Sequence, residues 1–164
     1  MSIKVYNVLF VCTHNSARSI MAEAILNSLG RGRFQAFSAG SHPGASVHPF
    51  TLKTLAEMHI PTDGLRSKDW DEFARPGAPE LDFVFTVCDQ AAGEVCPVWP
   101  GQPMTAHWGV ADPTAVAGTD AQKAKVFWDT ALILKRRIEL MLALPLASLD
   151  RMALQREVRD IGRR

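Results

Sequence analysis

Residues 8–19, VLFVCTHNSARS, determine how the rest of the chain is organised. Residues 8–11 form an apolar run of β-branched and aromatic side chains, which is typical of a buried strand. Apolar residues then recur at helical spacing, at Ile20, Met21, Ala24, Ile25 and Leu29. The stretch between the two patterns is therefore predicted to be a turn from a strand into a helix.

Such a turn favours anion binding, because the first N–H groups of a helix lack intrahelical partners and the helix dipole attracts negative charge. Five residues separate Cys12 from Arg18, enough to wrap a loop around a tetrahedral oxyanion. The planar fork of Arg18 can hold two of its oxygens, and the N–H dipoles favour the Cys12 thiolate, which is the nucleophilic form. The predicted oxyanion site comprises Thr13, His14, Asn15, Ser16, Ala17, Arg18 and Ser19.

In the alternative interpretation, without a functional role, Cys12 is a small apolar residue that fills space at the end of the strand and Arg18 is a solvated helix residue. That interpretation explains neither the spacing of the two residues nor their position in a strand-loop-helix segment. Asn15 is expected to brace the loop, since Asn tolerates left-handed dihedral angles. Ser19 has two open interpretations, as a donor to the Cys12 sulfur or as an ordinary residue of the first helical turn.

Length and composition narrow the class of protein. A chain of 164 residues fits a single domain, here 1–164, that can bury a real core. The net charge of +1 gives no broad field for nucleic acid or an anionic membrane, so neither is predicted as a partner. There is no apolar run of membrane-spanning length, and the first residues resemble a short strand rather than a signal peptide. We expect a cytoplasmic protein.

Three further strands are predicted at 34–40, 81–88 and 104–110, separated by helical patterns. This alternation indicates an α/β fold with a four-stranded parallel sheet flanked by helices. We expect the strands in the flavodoxin-like order 2-1-3-4, which the alternation itself does not specify. A long helix follows a capping box at Thr119 and Gln122. Residues from 148 onward are expected to form a surface helix with a frayed basic end.

Cys12, Cys88 and Cys96 are more informative as a set than singly, because disulfides of a reducing compartment tend to be transient and catalytic. If the first and third strands are neighbours, Cys12 and Cys88 lie in one crevice. A helical step from Cys88 to Cys96 spans about 12 Å, whereas a disulfide needs Cα atoms within about 7 Å. Pairing these two thiols therefore requires the segment to rearrange; two unrelated cysteines are the alternative.

Asp112 follows the fourth strand and precedes Pro113. A carboxyl group there is well placed to protonate an oxygen that leaves the anion, although Asp-Pro is also a common opening of turns.

Cys-X5-Arg-Ser at the end of the first strand resembles the anion loop of the low-molecular-weight protein tyrosine phosphatases, a superfamily that includes arsenate reductases. The resemblance runs from about Val5 to the last long helix, and Asp112 matches its general acid. One departure is His14, where relatives usually carry Gly; His enters positive φ more readily than most residues, so we expect the loop still to form.

The residues after Asp112 favour the arsenate reductase branch. Phosphatases of the superfamily place aromatic residues there to hold a phenyl ring, whereas this chain has Thr114, Ala115 and Val116. Arsenate reduction needs two electrons, which three cysteines supply. The resemblance thus implies attack by Cys12 on arsenate, a Cys12–Cys88 disulfide and its transfer to Cys96. A phosphatase of tyrosine phosphate or small phosphoesters, and a non-catalytic anion-binding module, remain the alternatives.

The resemblance also implies partners. Arsenate is the expected substrate, with phosphate and sulfate as competitors, and no cofactor is expected beyond an external thiol reductant. The relay points to thioredoxin, with glutaredoxin or a small thiol as the alternative. Some relatives hold a potassium ion behind the loop, at positions matching Asn15, Glu23 and Ser38. Lys68 stands where a further carboxylate is expected and can replace the ion, so no metal is predicted.

Overall fold

A computed structural model of the chain describes residues 4–88, 99 and 101–164. Its strands are β1 (Tyr6–Cys12), β2 (Phe34–Gly40), β3 (Phe83–Thr86) and β4 (Met104–His107). The α-helices of this part of the chain are α1 (Arg18–Leu29), α2 (Pro49–Glu57), α3 (Asp120–Leu142) and α4 (Arg151–Ile161). Short 3₁₀ helices cover Trp70–Phe73, Pro113–Ala115 and Leu146–Ser148.

The four strands form one parallel sheet in the order β2-β1-β3-β4, as the sequence predicts. Every residue from Val8 to Val11 is fully buried, because β1 is central and has a neighbour on each side. β1 and β3 are adjacent, so the chain leaves both strands at the same edge of the sheet. The segment from Cys12 to Arg18, called the anion loop below, lies at that edge.

The predicted helix starts agree with the observed caps. His48 accepts a hydrogen bond from the N–H of Phe50 at the start of α2, and Pro49 occupies the first helical position. Thr119 and Gln122 form the predicted capping box of α3. No helix of the described residues is long and apolar enough to cross a membrane.

Two predicted strands are shorter than their apolar runs. β4 was expected to reach residue 110 but ends at His107, and the next three carbonyl groups accept hydrogen bonds from arginine side chains. β3 covers only Phe83–Thr86 of the run 81–88. The helical segment predicted between Cys88 and Cys96 lies outside the described residues.

The C-terminal helix differs from the expectation of a frayed surface segment. Leu154, Val158 and Ile161 are buried, and the N–H groups of Arg163 and Arg164 bond to carbonyl groups of the preceding turn. The expectation of a frayed end was therefore wrong, because α4 packs its apolar stripe onto the sheet beside β4.

Candidate active site

The anion loop connects the end of β1 at Cys12 to the start of α1 at Arg18. Cys12 is 3% exposed and lies at the carboxyl end of the central strand. The strand-to-helix turn predicted from the sequence is therefore present, with the nucleophile candidate at its base.

The carbonyl groups of the loop all point outward. Those of Thr13, His14 and Asn15 accept hydrogen bonds at 2.8, 2.9 and 2.6 Å from groups outside the loop. The Ser16 carbonyl accepts two, from the His48 N–H at 3.0 Å and the Thr51 hydroxyl at 2.9 Å. The donors to the first three are His42, Gly44 and Ser67.

A trans peptide directs its C=O and its N–H to opposite sides. Four outward carbonyl groups in succession therefore turn the next four N–H groups, those of residues 14–17, toward the inside of the loop. The N–H of His14 bonds to the Cys12 sulfur. The loop thus presents a ring of N–H donors above the nucleophile, which is the arrangement that an oxyanion requires.

Asn15 braces the loop from beneath, as predicted. It is fully buried, and its side-chain amide donates to the hydroxyl groups of Ser19 at 2.8 Å and Ser38 at 3.0 Å. Its side-chain oxygen accepts the N–H of Lys68 at 2.9 Å. Asn15, and not His14, takes the positive φ of this turn, at 50°, so the left-handed conformation expected at His14 falls one residue later.

Gly40 at the end of β2 allows the loop to lie against the sheet. A Cβ there would approach the Thr13 carbonyl oxygen to 2.5 Å and the Cys12 carbonyl oxygen to 3.0 Å. Any larger residue would force the loop and the strand apart, so this position requires glycine.

Lys68 lies behind the loop, beside the residues for which the resemblance raised the question of a potassium ion. Its ammonium group donates to the Arg66 carbonyl at 2.8 Å and lies 3.6 Å from the Glu23 carboxylate, which also accepts the Ser38 hydroxyl at 2.5 Å. Burial lowers the pKa of Lys68, while Glu23 opposes this effect. The Asn15 oxygen is already used by the Lys68 N–H. These residues do not fit a potassium ion, because the ammonium already supplies the positive charge there.

Cys88 directly adjoins the loop, as the predicted strand order required. It is 2% exposed, and its sulfur accepts the Thr13 N–H at 3.3 Å and lies 3.4 Å from the Thr13 hydroxyl. The Cys12 and Cys88 side chains share a hydrogen bond. Two thiols therefore meet at one loop. Cys96, the third cysteine of the predicted relay, lies outside the described residues.

The pKa of Cys12 is raised, contrary to the low value that the loop dipoles predict. The hydrogen bond with Cys88 and burial both raise the pKa of the Cys12 thiol, and the Arg18 charge and the His14 N–H oppose them only in part. Sequence patterns could not weigh a second buried thiol against the loop dipoles, because the two thiols meet only in the folded chain.

Arg18 and Asp112 face each other across the opening of the loop. Arg18 donates to the Val110 carbonyl at 3.0 Å, and its second terminal nitrogen lies 3.7 Å from Asp112. The other oxygen of Asp112 accepts from the N–H and hydroxyl of Thr114, at 2.9 and 2.7 Å. Burial alone would raise the pKa of Asp112, but the Thr114 hydrogen bonds and the charges of Arg18 and His14 outweigh it and lower the pKa.

These groups surround an open cavity of about 280 Å³. Among the described residues its lining consists of Thr13, His14, Arg18, Cys88, Val110, Ala111 and Asp112. His14 contributes the one aromatic ring of that set. The cavity therefore has charge and N–H donors for a small anion, and its described wall offers no phenyl or indole ring against which an aryl ester could stack.

Sequence reasoning missed one residue that supports this site. The charge of Arg137 favours the exposed face of α3, yet this residue is 8% exposed and binds the carbonyl groups of Trp108 and Gly109. A signal existed in its spacing, because position 137 follows the buried positions 130 and 134 at helical intervals.

Comparison with known proteins identifies the family. Residues 7–155 match the model of the low molecular weight phosphotyrosine protein phosphatases, and the chain belongs to that family. An arsenate reductase of Halalkalibacterium halodurans is 35% identical over 120 residues, which cover 73% of this chain and 83% of the relative. A glutaredoxin arsenate reductase of Synechocystis is 31% identical over 136 residues, covering 83% of this chain and 95% of the relative.

Solved structures of related proteins have the same fold. An arsenate reductase in its phosphate-binding state superposes with a TM-score of 0.66 at 29% identity, covering 84% of this chain and 97% of that one. A thioredoxin-dependent arsenate reductase of Corynebacterium glutamicum gives a TM-score of 0.56 at 25% identity, covering 85% of this chain and 65% of that one.

Proposed function

We propose that this protein reduces arsenate to arsenite with Cys12 as nucleophile and Cys88 as the thiol that expels the product. The observation that carries the proposal is the position of Cys88, whose sulfur is hydrogen-bonded to the loop at Thr13 and to the nucleophile itself. Hydrolysis of a phosphoester has no use for a second thiol there, whereas a two-electron reduction requires one. The arsenate reductases among the relatives support the same choice.

In the first step the Cys12 thiolate attacks arsenic while the loop N–H groups and Arg18 hold the other oxygens. An As–S bond forms and an As–O bond breaks, and the departing oxygen takes a proton from Asp112. Asp112 has a lowered pKa before the anion arrives. A bound arsenate dianion opposes the ionisation of a nearby carboxyl group and competes with Asp112 for Arg18, so binding raises the pKa of Asp112 toward its protonated form.

In the second step the Cys88 thiolate attacks the Cys12 sulfur. An S–S bond forms, the S–As bond breaks and its electron pair stays on arsenic, which leaves as arsenite. The Thr13 N–H holds Cys88 and favours its thiolate. Cys96 then attacks Cys88, frees Cys12 and leaves a Cys88–Cys96 disulfide for an external reductant. Such a cycle operates in a reducing compartment, so we propose a cytoplasmic site of action.

The choice of reductant divides the relatives, since one is a glutaredoxin arsenate reductase and another is thioredoxin-dependent. We propose thioredoxin, because a dithiol reductant can reduce an intramolecular disulfide directly. The test measures arsenate-dependent oxidation of NADPH in two parallel assays of the purified protein. The first, the thioredoxin arm, contains thioredoxin and its reductase. The second arm contains glutaredoxin, glutathione and glutathione reductase. Turnover in the thioredoxin arm alone is expected; turnover confined to the second arm would contradict this choice.

Cysteine variants test the relay step by step. Cys12→Ser should abolish turnover in either arm and still bind phosphate, because the ring of N–H donors remains. Cys96→Ser should release one equivalent of arsenite, stop as a Cys12–Cys88 disulfide and fail with thioredoxin. Sustained thioredoxin-coupled turnover by Cys96→Ser would show that the relay does not need Cys96.

The family also contains phosphatases, so phosphatase activity is measured on the same protein preparations. A phosphatase would hydrolyse a chromogenic aryl phosphate rapidly with no reductant present. An anion-binding module would bind phosphate and show no activity that Cys12→Ser removes. We expect slow aryl phosphate hydrolysis at most, because the described cavity wall has no ring to hold the phenyl group.

A further inference from the structure

Arg137 is a buried cation in a position where the helix pattern calls for an apolar residue. It lies on α3 between the fully buried Leu134 and Ile138, and it is itself 8% exposed. Among the residues that the structure describes, its guanidinium bonds to three main-chain oxygens, one of them that of Arg164, and no Asp or Glu side chain pairs with it. Burying a charge is costly unless hydrogen bonds compensate for it, so these three bonds indicate a task that an apolar side chain cannot perform.

The bonds of Arg137 define that task. One terminal nitrogen donates to the Trp108 carbonyl at 2.7 Å and to the Gly109 carbonyl at 3.0 Å, and Nε donates to the Arg164 carbonyl at 3.1 Å. The first two carbonyl groups follow directly after the end of β4. Arg137 thus ties these two carbonyl groups, which follow the edge strand of the sheet, to the main chain of Arg164.

The neighbours of this strand end are already rigid. Trp108 is fully buried, its main-chain N–H bonds to the Thr86 carbonyl at 2.7 Å and its indole N–H bonds to the Val158 carbonyl at 2.8 Å. Gly162 packs so closely that a Cβ there would lie 2.1 Å from the His107 carbonyl oxygen. The Val110 N–H also bonds to the Val87 carbonyl at 3.1 Å, so main-chain bonds hold Trp108 and Val110, and Arg137 holds the Gly109 carbonyl between them.

The next carbonyl along the chain belongs to Val110, which accepts a hydrogen bond from Arg18 at 3.0 Å. Asp112 follows two residues later and lies 3.7 Å from the same guanidinium. Two arginines thus hold the three successive carbonyl groups of residues 108–110. Arg137 reaches them from α3, and Arg18 reaches them from the lining of the anion cavity.

We propose that Arg137 is a positioning residue that sets the distance of Asp112 from the anion loop. It touches neither substrate nor reacting atoms and acts through the carbonyl groups of Trp108 and Gly109. This inference rests on the proposed function, because Asp112 is the group whose position it governs. Displacing a catalytic group by about 1 Å can cost about 100-fold in rate.

A double-mutant cycle separates positioning from general stabilisation. The proteins are the wild type, Arg137→Lys, Asp112→Asn and the double variant, with Arg136→Lys as the matched control, since Arg136 is the exposed neighbour on the same helix. The measured quantity is the rate of arsenite release in a single turnover of reduced protein, so no external reductant enters. Phosphate affinity is measured beside it by calorimetry.

Lysine keeps the positive charge, but its single ammonium group cannot bond at once to the carbonyl groups of Trp108 and Gly109 and to the main-chain oxygen of Arg164. We expect Arg137→Lys to slow arsenite release by about 10–100-fold when Asp112 is present and by less than about threefold when Asp112→Asn is also present. Phosphate affinity should change by less than about threefold, because the loop donors are untouched. Arg136→Lys should match the wild type.

An equal loss in both backgrounds, or no loss in either, would overturn the positioning role. If Asp112→Asn by itself leaves the rate unchanged, the acid step of the proposed function fails, and the positioning role falls with it. Arsenate reduction and the thiol relay would still stand in that case, so the two failures are distinguishable. Should Arg137→Lys not fold, Arg137→Met, which suits the apolar neighbours, takes its place in the cycle with the same expected pattern.

Discussion

The anion loop and the strand end that carries Asp112 line the same cavity but are held in place differently. The loop is fixed through a dense set of short contacts around a buried asparagine that lies within it. The strand end is held by main-chain bonds of Trp108 and Val110 to residues 86 and 87, and by the side chains of Arg18 and Arg137. Both regions therefore depend on partners distant in sequence, but many hydrogen bonds converge on the loop, whereas two arginines hold the carbonyl groups of the strand end.

The largest expected effect lies on the strand end. Asp112→Asn should lower arsenate turnover by about 10²–10⁴-fold, because the amide cannot supply the proton. Affinity for phosphate should stay similar or tighten, since the substitution removes a negative charge that faces the anion. Steady-state kinetics and phosphate calorimetry check both parts. Weaker phosphate binding with unchanged turnover would assign Asp112 to anion binding and not to proton transfer.

The second largest effect is expected from a substitution in the anion loop. Asn15→Ala removes three side-chain hydrogen bonds of a fully buried residue and places alanine at a φ of 50°. We expect a loss of about 2–4 kcal/mol in the free energy of unfolding, measured in urea, together with weaker phosphate binding.

Asn27→Ala is the matched control, because Asn27 also makes two amide hydrogen bonds, to the main chain of Ala36, but is exposed and far from the loop. It should cost about 1 kcal/mol and leave phosphate binding unchanged. If both variants weaken phosphate binding equally, Asn15 has no specific role in holding the loop in its anion-binding conformation.

The smallest effect concerns the contact between the two thiols. Cys88→Ala removes the main cause of the raised pKa of Cys12, so that pKa should fall and more thiolate should be present at a given pH. Below the pKa, thiolate increases about tenfold for each pH unit by which the pKa falls. We therefore expect alkylation of Cys12 by iodoacetamide at neutral pH to be about tenfold faster in Cys88→Ala.

Mass-spectrometric mapping of the alkylated peptide over a range of pH measures this rate for Cys12 alone. Phosphate should slow the reaction competitively in both proteins. An unchanged pH profile would show that burial, and not Cys88, dominates the titration of Cys12.

Local sequence determined the binding half of this protein. The apolar run before Cys12, the five-residue spacing to Arg18 and the helical pattern after it specify a strand-to-helix turn, and such a turn exposes N–H donors wherever it occurs. The tolerance of Asn for left-handed dihedral angles predicted the brace at Asn15. Parallel pairing followed from the alternation of strands and helices, whereas the strand order that brings Cys12 and Cys88 together was expected by analogy with flavodoxin-like sheets.

Tertiary structure decided what depends on the balance between distant groups. The pKa of Cys12 is set by a hydrogen bond to a residue 76 positions away in opposition to Arg18, and no sequence pattern gives the result of that competition. Arg137 looked like a solvated cation because charge alone predicts exposure, yet three main-chain oxygens satisfy it inside the protein. A hydrogen bond to a carbonyl group leaves no mark in the sequence, since every residue carries one.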